Sequence, residues 1–255
     1  MDERPIAVFD SGLGGISVLR ALRDCLPEED FLYFGDSRNA PYGSRTTEDI
    51  RALTLHNAEM LFARECKALV LACNTATAAA IDELRERYPA RIIVGIEPAL
   101  KLAVRLHPQG KILVMATEAT LRERKFAALM AQFADSCEIC KCPCPELVEF
   151  VERGELTGAA LEDCLRRELS HALTPQPDAV VLGCTHFPFL RESIRAVVGD
   201  GADLLDGAEG TARETRRRLT EAGLLHGGSP GHVELVNSLD TPEIHACALR
   251  LLYGE

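Results

Sequence analysis

One six-residue pattern occurs twice. Val70-Leu71-Ala72-Cys73-Asn74-Thr75 is echoed by Val181-Leu182-Gly183-Cys184-Thr185-His186. Each copy is an apolar run, a small residue, a cysteine and a polar pair. A buried strand ending in a thiol and hydrogen-bonding side chains therefore arises once in each half of the chain. This implies two similar domains that present strand carboxyl ends to one shared crevice, where α/β proteins place their ligands.

The surrounding pattern fixes the class of those domains. Short apolar runs at Ile6 to Phe9, Phe31 to Phe34, Ala68 to Leu71, Ile92 to Ile96, Lys111 to Met115, Ala179 to Leu182 and Asp203 to Leu205 alternate with helix-patterned stretches such as Ile16 to Cys25, Thr46 to Arg64 and Ala76 to Arg87. Strand, loop, helix, strand in repetition is the sequence form of a parallel, helix-covered sheet. The expected fold is α/β, two parallel-sheet domains related by pseudo-two-fold symmetry with the active site between them. We place the first domain at 1–97 plus 208–255 and the second at 98–207, so the tail returns to complete the first.

Composition narrows the partners. The 255 residues carry 39 acids against 28 bases, a formal charge of -11, which repels phosphate backbones and argues against nucleic acid. The basic run Arg216-Arg217-Arg218 lies among acids and reads as a solvated helix face. The opening MDERPIAVFD has no leader pattern, and no stretch stays apolar for the eighteen or so residues of a membrane span, so no membrane partner and a cytoplasmic location are expected. Ten scattered cysteines then point to reduced thiols rather than a disulfide framework.

A single strand-end cysteine is ordinarily a small buried hydrophobe. Two at equivalent places are better explained as an acid and a base on opposite faces of one carbon, the arrangement racemisation needs, with no metal and no cofactor. A disulfide between them would occlude the crevice. Asn74 and Thr75 are suitable caps for a following helix, whose N-terminus should lower the Cys73 pKa towards neutrality.

Other motifs carry weaker signals. Asp10-Ser11-Gly12-Leu13-Gly14-Gly15 follows the first strand, but a GxGxxG fingerprint begun at Gly12 would end on Ser17, and Asp10 points a carboxylate where a pyrophosphate would lie. Asp36 is the one residue that lends a dinucleotide reading support. The loop from Gly35 to Gly43 suits either a plain surface turn or a ligand contact. Cys137, Cys140, Cys142 and Cys144 do not have paired-knuckle spacing, and the last three fit one face of a strand better than a metal site. Glu152, by local pattern alone, is a solvated helix acid.

The blocks DSGLGGISVL (10–19), GDSRNAPYG (35–43), ACNTATA (72–78) and GCTHFPFL (183–190) together resemble the glutamate racemases, the cofactor-independent members of the aspartate/glutamate racemase group. Weaker similarity at Ile96 to Pro98 and Asp206 to Ala212 extends it over nearly the whole chain. The resemblance implies interconversion of L- and D-glutamate, supplying D-glutamate for peptidoglycan precursors. It implies that Cys73 takes the α-proton from D-glutamate with Asp10 assisting, and that Cys184 takes it from L-glutamate with His186 assisting and Glu152 nearby. Ser11, Pro41, Tyr42, Gly43, Asn74, Thr75 and Thr185, with Asp10 and His186, would bind the substrate, and the protein would be a homodimer. Two departures stand out: Glu118-Ala119 where the family usually shows proline and glycine, and the four-cysteine run. Aspartate racemases, single-thiol decarboxylases and non-catalytic binding relatives are the rival readings. The retained thiol pair disfavours the last two, and His186, where aspartate racemases tend to carry glutamate, disfavours the first.

Overall fold

The computed structural model describes residues 2–254. Nine strands form two sheets: β1 (Ile6–Asp10), β2 (Phe31–Gly35), β3 (Ala68–Leu71), β4 (Ile92–Gly95) and β9 (Val233–Asn237) in one, β5 (Lys111–Ala116), β6 (Glu138–Pro143), β7 (Ala179–Leu182) and β8 (Asp203–Leu205) in the other. Every pairing is parallel. The central strands IAVFD, ALVL, KILVMA and AVVL are buried along their whole length, which is why they are near-continuous apolar runs rather than alternating ones.

The sheets share a strand order. The first runs β4-β3-β1-β2-β9 and the second β8-β7-β5-β6, so β5, β6, β7 and β8 repeat β1, β2, β3 and β4, with β9 an addition at one edge. The register repeats as well. Ile6 lies opposite Ala68 in the first sheet and Ile112 opposite Ala179 in the second, and Cys73 and Cys184 each follow five residues beyond those alanines. The two thiols are thus equivalent in register as well as in sequence.

Two strands lie outside the apolar runs singled out above. β6 contains Cys140 and Cys142, as the one-face pattern suggested, but Cys144 lies past its end. β9 pairs with β2, and the helix Ala208–Ala222 packs on the helix Ile16–Cys25, so the tail joins the first sheet's layer. Helix starts follow local chemistry: Thr46 and Thr241 each accept a backbone N–H three residues on, caps worth about 1 kcal/mol apiece. Among the described residues no helix is long and apolar enough to cross a membrane.

Candidate active site

β1 and β3 of one sheet, and β5 and β7 of the other, end on a common cavity of about 370 Å³. Its wall includes Ser11, Pro41, Tyr42, Gly43, Cys73, Asn74 and Thr75 from the first half, with Glu152, Cys184, Thr185 and His186 from the second. The volume is at the lower end of the roughly 300–1,000 Å³ usual for small-ligand sites. Asp10 lies behind this wall, fully buried.

Cys73 is itself the cap of the helix Asn74–Arg87: its Sγ accepts the Ala76 N–H at 3.4 Å and its thiol donates to Ser11 Oγ at 3.5 Å. The expected caps, Asn74 and Thr75, are instead the first helical residues. The expected pKa is also reversed. Burial, then the negative charge of Asp10, push the Cys73 thiol up to about 12, overriding the helix N-terminus and the Ser11 and Ala76 hydrogen bonds. Desolvation of an anion outweighs two weak sulfur contacts. Cys73 therefore rests as a protonated acid.

Cys184 has a different setting. Its Sγ is 3.5 Å from His186 Nδ1, and His186 Nε2 is 2.7 Å from Glu152 Oε1. Burial presses the His186 pKa down, but Cys184 and Glu152 on either side of the ring together raise it well above the ordinary histidine value. An imidazolium held between a carboxylate and a sulfur is the result. The same Glu152 oxygen accepts the Leu13 N–H at 2.7 Å, which ties it to the opposite domain. Glu152 is not the solvated acid its local pattern suggests.

The glycine-rich turn serves these contacts rather than a phosphate. A Cβ on Gly12 would collide with the Glu152 carboxylate, and one on Gly14 would lie 2.6 Å from Thr185 Oγ1 and against the His186 ring. Asp10 accepts the Gly12 N–H at 2.9 Å and the Thr185 hydroxyl at 3.1 Å, and Tyr33 donates to the Gly12 carbonyl at 2.7 Å. Burial raises the Asp10 pKa against the opposing pull of His186 and Gly12. Asp10 makes no hydrogen bond to Cys73; the two are coupled through charge.

Asp36 is equally committed. It accepts from Tyr42 Oη at 2.8 Å and from Asn57 Nδ2 and Asn39 Nδ2 at 3.1 Å, folding the 36–43 loop so that Pro41, Tyr42 and Gly43 face the cavity. The dinucleotide reading fails on this ground, and the loop is a cavity wall rather than a plain turn.

Among the described residues the cavity wall contains no lysine or arginine, so beside the His186 ring a carboxylate entering it meets backbone N–H groups and the hydroxyls of Ser11, Thr75, Thr117 and Thr185. Asn74 Oδ1 is buried with no hydrogen-bond partner among the described residues, an acceptor suited to an ammonium group. Thr117 and Thr120 were not picked out from sequence, yet with Thr75 they form a triangle of hydroxyls 3.0–3.1 Å apart. The available signal was positional: Thr117 follows β5 as Ser11 follows β1. Glu118 and Glu149 add negative charge to the wall. Of the four-cysteine run, Cys137 donates to the His107 carbonyl, Cys140 lies by Glu138, and Cys142 and Cys144 face each other at 3.7 Å.

The pattern of the Asp/Glu/Hydantoin racemase family matches residues 16–215. A glutamate racemase of Clostridium novyi is 47% identical over 240 residues, 94% of this chain and 93% of its own. Among solved structures, the Francisella tularensis glutamate racemase in complex with D-glutamate aligns with a TM-score of 0.86 and 29% identity over 99% of this chain and 94% of that one. The Escherichia coli glutamate racemase in complex with L-glutamate and the activator UDP-MurNAc-Ala aligns at 0.84 and 32% over 97% and 95%.

Proposed function

Because the chain belongs to the Asp/Glu/Hydantoin racemase family, and within it to the glutamate racemases, we propose that Cys184 and Cys73 are the two bases of a cofactor-independent interconversion of L- and D-glutamate. The reaction supplies D-glutamate for peptidoglycan precursors. One observation carries the residue assignment: two thiols at equivalent register positions of facing sheets line one small cavity.

In the L-to-D direction, Cys184 as thiolate, opposite the His186 imidazolium, removes the α-proton from one face. Cys73 as thiol donates its proton to the other face of the carbanion. The reverse reaction exchanges the roles, and proton exchange with solvent resets the pair. Asp10 keeps Cys73 protonated through its charge and holds Thr185 in place. Glu152 keeps His186 charged and aimed at Cys184. The substrate ammonium meets Asn74 Oδ1, and its carboxylates meet the hydroxyls of Ser11, Thr75 and Thr185 and the 41–43 backbone. Hydrogen bonds fixed in advance stabilise the enediolate-like charge that develops at the α-carboxylate.

The proposed domains are 1–97 with 208–255, and 98–207, a division supported by the β9–β2 pairing. The enzyme is a cytoplasmic homodimer in this reading, consistent with ten free thiols. Purified reduced protein with nothing added should convert L-glutamate to D-glutamate and incorporate one solvent deuterium at the α-carbon. Aspartate, one methylene shorter, should react far more slowly in the same assay. Inactivity of the reduced protein, or dependence on pyridoxal phosphate, would refute the assignment.

A further inference from the structure

The second domain holds a separate group of mixed thiol and carboxylate donors that the racemase chemistry does not use. Glu146, Cys164 and Glu168 bring one oxygen, one sulfur and one oxygen within 4.8 Å of one another. Cys164 and Glu168 stand four residues apart on the helix Ala159–Leu169 and share one face. Glu146 opens the helix Glu146–Glu152. Cys142 donates to the Glu168 carbonyl at 3.4 Å and faces Cys144 at 3.7 Å, so half of the four-cysteine run ends nearby.

The group is poorly satisfied as it stands. Glu168 Oε2 is buried without a hydrogen-bond partner among the described residues. The neighbouring cation is the exposed Arg167, whose Nη2 reaches Glu146 Oε2 at 2.7 Å and Cys164 Sγ at 3.4 Å but makes no contact that relieves Glu168 Oε2. Sulfur with carboxylate is a donor set for a borderline-soft divalent ion and unlike the all-oxygen shells of magnesium or calcium.

We infer that Glu146, Cys164 and Glu168 form a three-ligand binding site for a zinc-like divalent cation, which displaces Arg167 when it enters. The Cys164 thiol gives its proton to solvent on binding, so affinity rises with pH. The site is connected to the catalytic centre. Glu146 also lines the active cavity, and Glu152 at the other end of the same seven-residue helix holds His186.

The test uses Zn²⁺ competed against a chromogenic chelator, in a Cys73→Ser/Cys184→Ser background that removes the catalytic thiols as rival ligands. One equivalent should bind, and Cys164→Ala/Glu168→Gln should weaken it by at least about 10- to 100-fold, since loss of mere outer-sphere partners costs that much. No stoichiometric binding, or binding undiminished in the second pair, overturns the site. The unaltered chain gives a check independent of variant folding: one equivalent of Zn²⁺, added with saturating glutamate, should shield Cys164 from alkylation as mapped by mass spectrometry. Alkylation at an unchanged rate overturns the site equally.

Discussion

Replacing Glu152 by Gln isolates the charge on the acid that holds His186. One oxygen, Oε1, accepts both the Leu13 N–H and the His186 Nε2–H, each at 2.7 Å. A Gln Oε1 can accept both, so position is kept and only the negative charge is lost. A hydrogen bond to a charged group contributes about 1.5–3 kcal/mol and a neutral one about 1 kcal/mol. The difference, about 0.5–2 kcal/mol, corresponds to a roughly 2- to 30-fold loss in kcat/KM at neutral pH. That loss must be equal in both directions, because enantiomers in water have an equilibrium constant of one. The asymmetry therefore has to be read elsewhere. Proton removal by Cys184 becomes slower relative to removal by Cys73, so the primary isotope effect with α-deuterated L-glutamate should exceed that with the D-enantiomer in Glu152→Gln. Circular dichroism follows both reactions. A variant with unchanged kcat/KM, or one whose isotope effect grows only on the D side, would show that Glu152 does not act through His186 and Cys184.

Cys73→Ala should abolish racemisation while L-glutamate still exchanges its α-hydrogen with deuterium slowly through Cys184, without inversion; measurable inversion would contradict the two-base assignment. The Cys73 pKa, raised from 9.0 to about 12 by burial and Asp10, leaves stability untouched below pH 9 and lowers it by about 1.4 kcal/mol per pH unit between pH 9 and 12, because the unfolded thiol ionises first. At pH 10.5 the urea-derived stability of Cys73→Ser, relative to its own value at pH 8, should have fallen by about 2 kcal/mol less than that of the unaltered chain; equal falls would place the Cys73 pKa near that of a free thiol. Gly14→Ala should fold at a cost of about 1–3 kcal/mol yet lose racemisation at least about 100-fold, since its methyl group must push His186 or Thr185 aside; a fully active Gly14→Ala would show that this close approach is dispensable.

The parts of this site visible in the sequence are those encoded locally. Two apolar strands ending in cysteine repeat within a few residues, and DSGLGG follows a strand, so the sheets, the thiols and the turn were legible. What the turn is for was not. Gly12 and Gly14 make room for Glu152 and His186, which arrive from well over a hundred residues away, and a solitary VEFVE helix gives no sign of the partner at its end. Glu152 acquired a role only through family resemblance. β9 escaped notice because VELVN is a half-buried edge strand after a Gly-Gly-Ser-Pro-Gly stretch, with none of the continuous apolar character of β1 or β3. The Cys73 pKa ran opposite to expectation because the depth of burial is a tertiary property, and it outweighed the helix terminus that the sequence displays.

The equivalent registers of Cys73 and Cys184 also limit what duplication alone can accomplish. A two-fold rotation exchanges the faces of a planar carbanion, but it is not a reflection, and in turning the plane over it swaps at least two of the three in-plane substituents. A perfectly duplicated protein would thus supply two matched bases and mismatched grips on carboxylate, ammonium and side chain. Handedness has to be handled by positions where the copies no longer agree. By register these are Asp10 against Ala116, Asn74 against Thr185, and Thr75 against His186. On the proposed assignment, the repeated strand-end thiol supplies the two proton carriers, and differences at a handful of neighbouring positions let one chiral molecule serve both hands of its substrate.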